Sequence, residues 1–107
     1  MIETDSCGDG GVRLRAFGDF SSITAASLRH LVNDSIYHGL PLTIDLSRVE
    51  RIDAEGVSAL VGSVRRARSI DGTLRVVNAR PRVRAVFELA GVDDLLLGSR
   101  ATTGYVA

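Results

Sequence analysis

A strand that leads into a helix near the middle of the chain constrains the fold more than any other feature. Residues 42–46, Leu-Thr-Ile-Asp-Leu, form a short run that is typical of a buried strand of five residues. After Ile52 and Asp53, apolar residues recur at helical spacing, which predicts a helix from about Ala54 to Ser69. Its inward face is expected to carry Val57, Leu60, Val61 and Val64. A strand followed by an amphipathic helix indicates an α/β domain.

The segments before this unit predict a hairpin and another helix. Residues 2–7 and 12–17 flank the turn-rich segment Gly8-Asp9-Gly10-Gly11, which is typical of a β-hairpin. A helix is expected to begin near Ile23, with Ser21 or Ser22 as its cap, and to end before Gly39 and Pro41. Its buried face is expected to carry Ile23, Leu28, Leu31, Val32 and Ile36.

The segments after it continue the alternation of strands and helices. The turn Asp71-Gly72 precedes a short strand over residues 73–77, and Pro81 suits the first turn of a further helix that ends at Gly91. That helix is expected to bury Val83, Val86, Phe87 and Ala90. Residues 92–97 fit one more strand or a helical turn, and residues 98–107 suggest a loose tail.

The predicted fold is therefore a single α/β domain spanning residues 1–107, with its core at about residues 12–97. A mixed sheet of four or five strands is expected, with the helices packed on it. A chain of 107 residues suffices for one hydrophobic core but not for two.

The composition excludes several kinds of chemistry. All 13 basic residues are arginine, so the lysine that a P-loop or a Schiff-base enzyme needs is missing. The formal net charge is zero, which argues against general binding to nucleic acid or to membrane surfaces. His30 and His38 lack companions at a metal-binding spacing, so we expect surface residues, no metal and no cofactor.

The remaining features are those of an ordinary cytoplasmic protein. Cys7 is the single cysteine; it cannot form an internal disulfide, and an unreactive residue is favoured over a redox sensor. The N-terminal residues lack a basic region followed by an apolar one, so no secretory signal is expected. No apolar run approaches the roughly 20 residues of a membrane helix. We therefore expect a cytoplasmic location.

The segment Asp53-Ala54-Glu55-Gly56, with the strand before it and the helix after it, resembles the STAS family (sulfate-transporter and anti-sigma-factor-antagonist domains). Phosphorylatable members have a segment similar to Asp-Ser-Ser-Gly or Asp-Ser-Thr-Gly, in which a partner kinase phosphorylates the hydroxyl residue before the glycine. A carboxylate, Glu55, stands at that position here.

Other segments extend the resemblance over residues 12–97. Gly18-Asp19-Phe20 and Thr24 resemble the family's segment before the first helix, although Ser21 replaces the usual aspartate. The strand residues Asp45, Leu46 and Ser47 also fit, as do Asp71-Gly72-Thr73-Leu74.

The resemblance implies a non-enzymatic regulator of the anti-sigma-factor-antagonist type. Such a protein binds an anti-sigma factor of the serine-kinase type and so regulates transcription, as in a stress response. The alternative is a STAS subunit of an ABC-type phospholipid transport system that docks on the ATPase, and a homodimer is left open. The partner-binding residues that the family resemblance implies are Asp19, Ser21, Thr24, Asp53, Ala54, Glu55, Gly56, Ser58, Ala59, Gly62 and Arg66.

Glu55 has two interpretations. It is either a permanent, partial imitation of phosphate in a non-phosphorylatable protein, or an acidic residue that suits a helix N-terminus, with Asp53 as the N-cap. The outer face of the same helix is equally ambiguous: a strip on which a partner can dock closely, or an ordinary solvated face. That face is expected to carry Glu55, Ser58, Ala59, Gly62, Ser63 and Arg66.

Catalytic interpretations are weaker. Asp53 and Glu55 could form an acid–base pair, but their side chains are expected to point in different directions. Ser58 could be a nucleophile, but it lies within the predicted helix and its segment lacks the second glycine of a nucleophile elbow. The arginines at positions 80, 82 and 84 are either a solvated helix start or a patch for an anionic ligand, and the first is favoured.

Overall fold

The structure is a computed structural model and describes residues 1–6 and 10–97. Cys7, the first half of the predicted hairpin turn and the predicted tail at residues 98–107 lie outside the described residues. The elements in chain order are β1 (Ile2–Ser6), β2 (Val12–Phe20), α1 (Ser22–Tyr37), β3 (Leu42–Ile52), α2 (Ala54–Ser69), β4 (Leu74–Val77), α3 (Pro81–Leu89) and α4 (Asp93–Leu97).

The strands form one four-stranded mixed sheet in the order β1-β2-β3-β4. β1 runs antiparallel to β2, with Ile2 opposite Ala16, which confirms the two arms of the predicted hairpin. β2 and β3 are parallel, as are β3 and β4. The predicted single α/β domain with helices packed on a mixed sheet is confirmed.

The core lies between the helices and one face of the sheet. Side chains of β2 and β3 alternate, so that Leu14, Ala16 and Ile44 are buried against the helices. Each of the three longer helices contributes large side chains that are almost fully buried: Leu28 and Val32 from α1, Leu60 from α2, and Val83 and Phe87 from α3. The helical periodicity in the sequence therefore identifies most of this core.

The third strand is longer than predicted, with 11 residues rather than five, and that prediction was wrong. Beyond Leu46 it continues to pair with β2, and Ile52 stands opposite Phe20. Polar residues conceal this extension in the sequence, because Arg48, Glu50 and Arg51 are exposed at the end of the sheet. The extended pairing carries the ends of β2 and β3 together to the beginning of α2.

The ends of the helices differ from the predictions in three places. Ser21 occupies the N-cap position of α1 but makes no side-chain capping hydrogen bond. Ile23, predicted to be buried, is 80% exposed, because it lies on the side of α1 away from the buried Thr24 and Ala25. Ala90, also predicted to be buried, follows the end of α3 and is exposed. Pro81 begins α3 as predicted, and residues 93–97 are helical rather than extended.

The other face of the sheet carries charged side chains. Arg15 lies opposite Asp45 in the register and forms an ion pair with it, with 3.5 Å between Nε and Oδ2. Burial opposes ionisation of Asp45, but the Ser47 backbone N–H, at 2.9 Å, the Asn78 amide and Arg15 outweigh that effect. Together they hold the pKa of Asp45 below its ordinary value of 3.8. Asp45 of β3 is thus a structural residue.

Candidate partner-binding site at the start of α2

Asp53 fixes the point at which α2 begins. Its side-chain Oδ1 accepts a hydrogen bond from the Gly56 backbone N–H at 2.9 Å, which confirms the predicted N-cap. Its own backbone N–H donates to the Phe20 carbonyl at 3.3 Å. The predicted bounds of α2 are also confirmed. These bonds hold the first turn of α2 against the end of β2.

Gly56 is required by a close approach between that turn and β2. A Cβ atom at this position would lie 2.5 Å from the Phe20 carbonyl oxygen, 2.7 Å from Ile52 Cγ1 and 2.8 Å from Phe20 Cδ1. All three distances are shorter than non-bonded contacts in proteins, so no side chain fits here. Gly56 is buried, and its role is to let the helix approach the sheet rather than to offer surface to a partner.

The exposed residues at the start of α2 are Asp53, Ala54, Glu55 and Ser58. Glu55 lies in the first turn of α2, as predicted, where unpaired backbone N–H groups and the helix dipole favour negative charge. Within the described part of the chain, it has no ion pair or side-chain hydrogen bond. Its carboxylate is therefore free to meet a partner.

The end of β2 and the beginning of α1 border the same turn. Asp19 is exposed and Ser21 is half-buried, so both can contribute surface. Thr24 is only 6% exposed, and its hydroxyl donates to the Asp19 carbonyl at 3.2 Å. Thr24 therefore ties the beginning of α1 to the end of β2, and its predicted contact with a partner does not fit its burial.

The predicted outer strip of α2 is wrong at two positions. Ala59 is 1% and Ser63 is 5% exposed, and the Ser63 hydroxyl donates to the Ala59 carbonyl at 2.8 Å. Both lie on the side of α2 that packs against α1. The small side chains thus accommodate a helix of this chain rather than a partner. Gly62 and Arg66 are exposed and remain available.

An apolar groove beside the turn was not predicted from the sequence. It has a volume of about 530 Å³ and lies between α2 and α3, and we refer to it as the α2/α3 groove. Leu89, at the end of α3, is 90% exposed on its border. Its lining residues are Ile52, Asp53, Ala54, Val57, Ser58, Val61, Val86, Leu89 and Ala90. The feature of the sequence that could have indicated this groove is Leu89, because it is apolar but lies outside the helical period of the buried Val83 and Phe87.

This geometry defines a class of protein. A four-stranded mixed sheet, in which the third strand leads to a helix through an Asp-x-x-Gly turn packed on the second strand, is a STAS-like domain. The family model described as "Mlab, STAS domain" matches residues 5–98. The chain belongs to the STAS domain family.

Known proteins of similar sequence and structure agree with this assignment. An anti-sigma F factor antagonist of Lysinibacillus sphaericus is 26% identical over 88 residues, covering 80% of this chain and 75% of the relative. The anti-sigma factor antagonist SpoIIAA in its unphosphorylated form has a TM-score of 0.76 at 21% identity, covering 92% of this chain and 88% of that one. An anti-sigma factor antagonist from Mycobacterium paratuberculosis has a TM-score of 0.78 at 23% identity, covering 100% of this chain and 94% of that one. At these identities the two structures show the fold alone.

Along the described residues, no helix is both long and apolar enough to cross a membrane.

Proposed function

We propose that this chain is an anti-sigma-factor antagonist that binds an anti-sigma factor of the serine-kinase type and so regulates sigma-factor-dependent transcription. The observation that carries the proposal is Glu55, exposed in the first turn of α2 within Asp53-Ala54-Glu55-Gly56. Membership of the STAS family and the similarity to the Lysinibacillus antagonist support it. The protein acts by binding, and we assign it no catalytic activity.

Glu55 makes the partner-binding turn permanently acidic. A phosphoserine in this position would carry about −1.5 to −2 charge and three acceptor oxygens, whereas glutamate carries one charge and two oxygens. Because neither Ala54 nor Glu55 has a hydroxyl, a kinase has no acceptor at the usual position. The protein is then not switched by phosphorylation there, and its affinity for the anti-sigma factor is constant.

The proposed contact surface extends from this turn over two neighbouring regions. On one side lie Asp19 and the exposed side of α2 with Gly62 and Arg66. On the other side lies the α2/α3 groove, whose exposed Leu89 provides an apolar anchor. Interfaces derive most of their binding energy from a few such anchors, surrounded by polar contacts.

The substitution Glu55→Ser tests the proposal. We would measure binding of the wild type and of Glu55→Ser to the cognate anti-sigma factor by calorimetry, with and without ATP. Wild type should bind equally well in both conditions, and only Glu55→Ser should acquire phosphate and then bind differently. Glu3→Ser is the matched control, because Glu3 is also an exposed acidic residue but lies on the edge strand β1.

Two results would contradict the proposal. If the wild type fails to bind the anti-sigma factor under either condition, the antagonist function is wrong. If it binds but Glu55→Ser behaves as Glu3→Ser does, then Glu55 is only a helix-start residue. If the chain instead binds the ATPase of a phospholipid transporter, it is a subunit of that transport system rather than an antagonist.

A further inference from the structure

A second cavity lies at the opposite end of α2 from Glu55. It has a volume of about 580 Å³ and lies between the C-terminal half of α2, the strand β4, and the helices α3 and α4. This volume is within the roughly 300–1,000 Å³ of typical small-molecule sites. Glu55 and Arg68 are 13 positions apart in α2, which corresponds to roughly 20 Å along the helix. The cavity is therefore separate from the first turn of α2, where Glu55 lies.

Three arginines from three different elements line this cavity. Arg68 comes from α2 and Arg84 from α3, on the helix side of the sheet, whereas Arg75 comes from β4 and alternates there with Val76, which faces the helices. None of the three has an ion pair or a side-chain hydrogen bond among the described residues. No described residue of the lining is acidic, although acidic and basic residues are equally numerous in the chain.

Apolar side chains complete the lining. Val64, Val76 and Leu96 are buried members of the core that reach the cavity, and Leu74 is half-buried beside them. A site with an apolar floor and several cationic groups suits a ligand that has both an apolar body and an anionic group. Guanidinium groups present paired N–H donors in a geometry that matches the oxygens of phosphate.

We propose that this cavity binds a small organic phosphate, a phosphate ester of an apolar or aromatic group. The phosphate would lie between Arg68 and Arg84, and the organic group would contact Leu74 and Val76. This assigns Arg84 a role that separates it from Arg80 and Arg82, its neighbours in the basic run. Arg80 donates from Nε to the Ser47 carbonyl at 2.8 Å, and Arg82 does not line the cavity.

The probe for this site is 1-naphthyl phosphate, with 1-naphthol as its uncharged counterpart. Binding to the full chain would be measured by naphthyl fluorescence and by changes in methyl NMR shifts. We expect saturable binding of 1-naphthyl phosphate, weaker binding of 1-naphthol, and shift changes at Val76 and Leu96 but not at Val57. Binding should weaken as the NaCl concentration rises, because salt screens exposed charges.

The arginine variants locate the phosphate. Arg68→Gln and Arg84→Gln should each weaken binding roughly two- to fivefold, as the loss of one exposed charge-assisted contact implies, and Arg75→Gln should weaken it less. Arg65→Gln and Arg82→Gln are matched controls, because both arginines are exposed and outside the cavity. All five positions are on the surface, so thermal melts should show unchanged folding.

Three outcomes would overturn the inference: no saturable binding by the full chain at millimolar probe, equal losses in the control variants, or 1-naphthol binding as tightly as its phosphate. The variant Glu55→Ser should bind the probe as the wild type does. Failure of the phosphate site and failure of the antagonist function are thus measured independently.

Discussion

Replacing Gly56 with alanine tests the close contact on which the geometry of the candidate site depends. The added methyl group would lie 2.5 Å from the Phe20 carbonyl oxygen, and two further atoms would lie within 2.8 Å. The distance to the oxygen must lengthen by at least about 0.5 Å to reach a tolerable contact of about 3.0 Å. Because that oxygen belongs to the backbone of β2, no side-chain rotation relieves the contact. The start of α2 has to move away from the sheet.

Two opposing effects determine the size of the change. Overpacking of this kind costs about 1–3 kcal/mol, and a rigid backbone neighbour favours the upper part of that range. Alanine has a higher helix propensity than glycine, which offsets up to about 1 kcal/mol. We therefore expect Gly56→Ala to lower the free energy of unfolding by about 1–2 kcal/mol. For a domain of this size, that corresponds to a fall in Tm of roughly 5–15 °C.

Gly62→Ala is the matched control, because it makes the same chemical change in the same helix. Gly62 is exposed, and a Cβ atom there would have no neighbour within 4 Å. Only the gain in helix propensity applies, so Gly62→Ala should raise the free energy of unfolding by up to about 1 kcal/mol. Urea titration followed by circular dichroism, with thermal melts at the same pH, measures both variants. The two substitutions should have opposite signs.

A stabilising effect at both positions would refute this reasoning, because it would mean that the first turn of α2 can accept a side chain without strain. Gly56 would then be present for reasons other than packing. The slope of the urea transition should be the same in all three proteins, so that a change in midpoint reports stability alone.

Three further predictions concern the cap, the sheet and the groove. Asp53→Ala removes the capping bond to the Gly56 N–H and should cost about 1 kcal/mol in urea titrations. The lowered pKa of Asp45 means that its stabilising effect is complete above the unfolded value of 3.8 and is lost as the pH falls through the folded value. Asp45→Asn should therefore be less stable at pH 7 and show a smaller loss of stability below pH 4 than the wild type. Leu89→Ser should change stability by less than about 0.5 kcal/mol, because the side chain is 90% exposed, but should weaken binding of the anti-sigma factor at least about fivefold.

Local chemistry made the larger part of the fold predictable. The bounds of α2, the N-cap at Asp53 and the beginning of α3 at Pro81 each depend on residues that are neighbours in the sequence. The resemblance to the STAS family added the interpretation that Glu55 stands at the position of the phosphorylated hydroxyl residue. In these places, short-range propensities and the global fold agree, which is usual in natural sequences.

The errors arose where packing between distant elements decides the outcome. Ala59 and Ser63 are small and polar enough to suit an exposed face, but α1 covers them. Ile23 has the spacing of a core residue, but none of the described elements covers it. The contribution of α3 to the groove depends on how Leu89 is placed beside α2, and no periodicity within one helix specifies that arrangement.

The Asp-x-x-Gly segment combines structural and functional residues that can be separated. Asp53 caps α2 and Gly56 permits its contact with Phe20, and neither role needs a phosphate or a hydroxyl. Ala54 and Glu55 are exposed, so substitutions there should change stability by no more than about 1 kcal/mol, the upper value for a charge at an exposed helix start. A chain can therefore lose the phosphorylated hydroxyl while the turn that presents it keeps its shape. Under the proposed function, partner binding and regulation by a kinase would depend on different residues, and this chain would keep those that support binding.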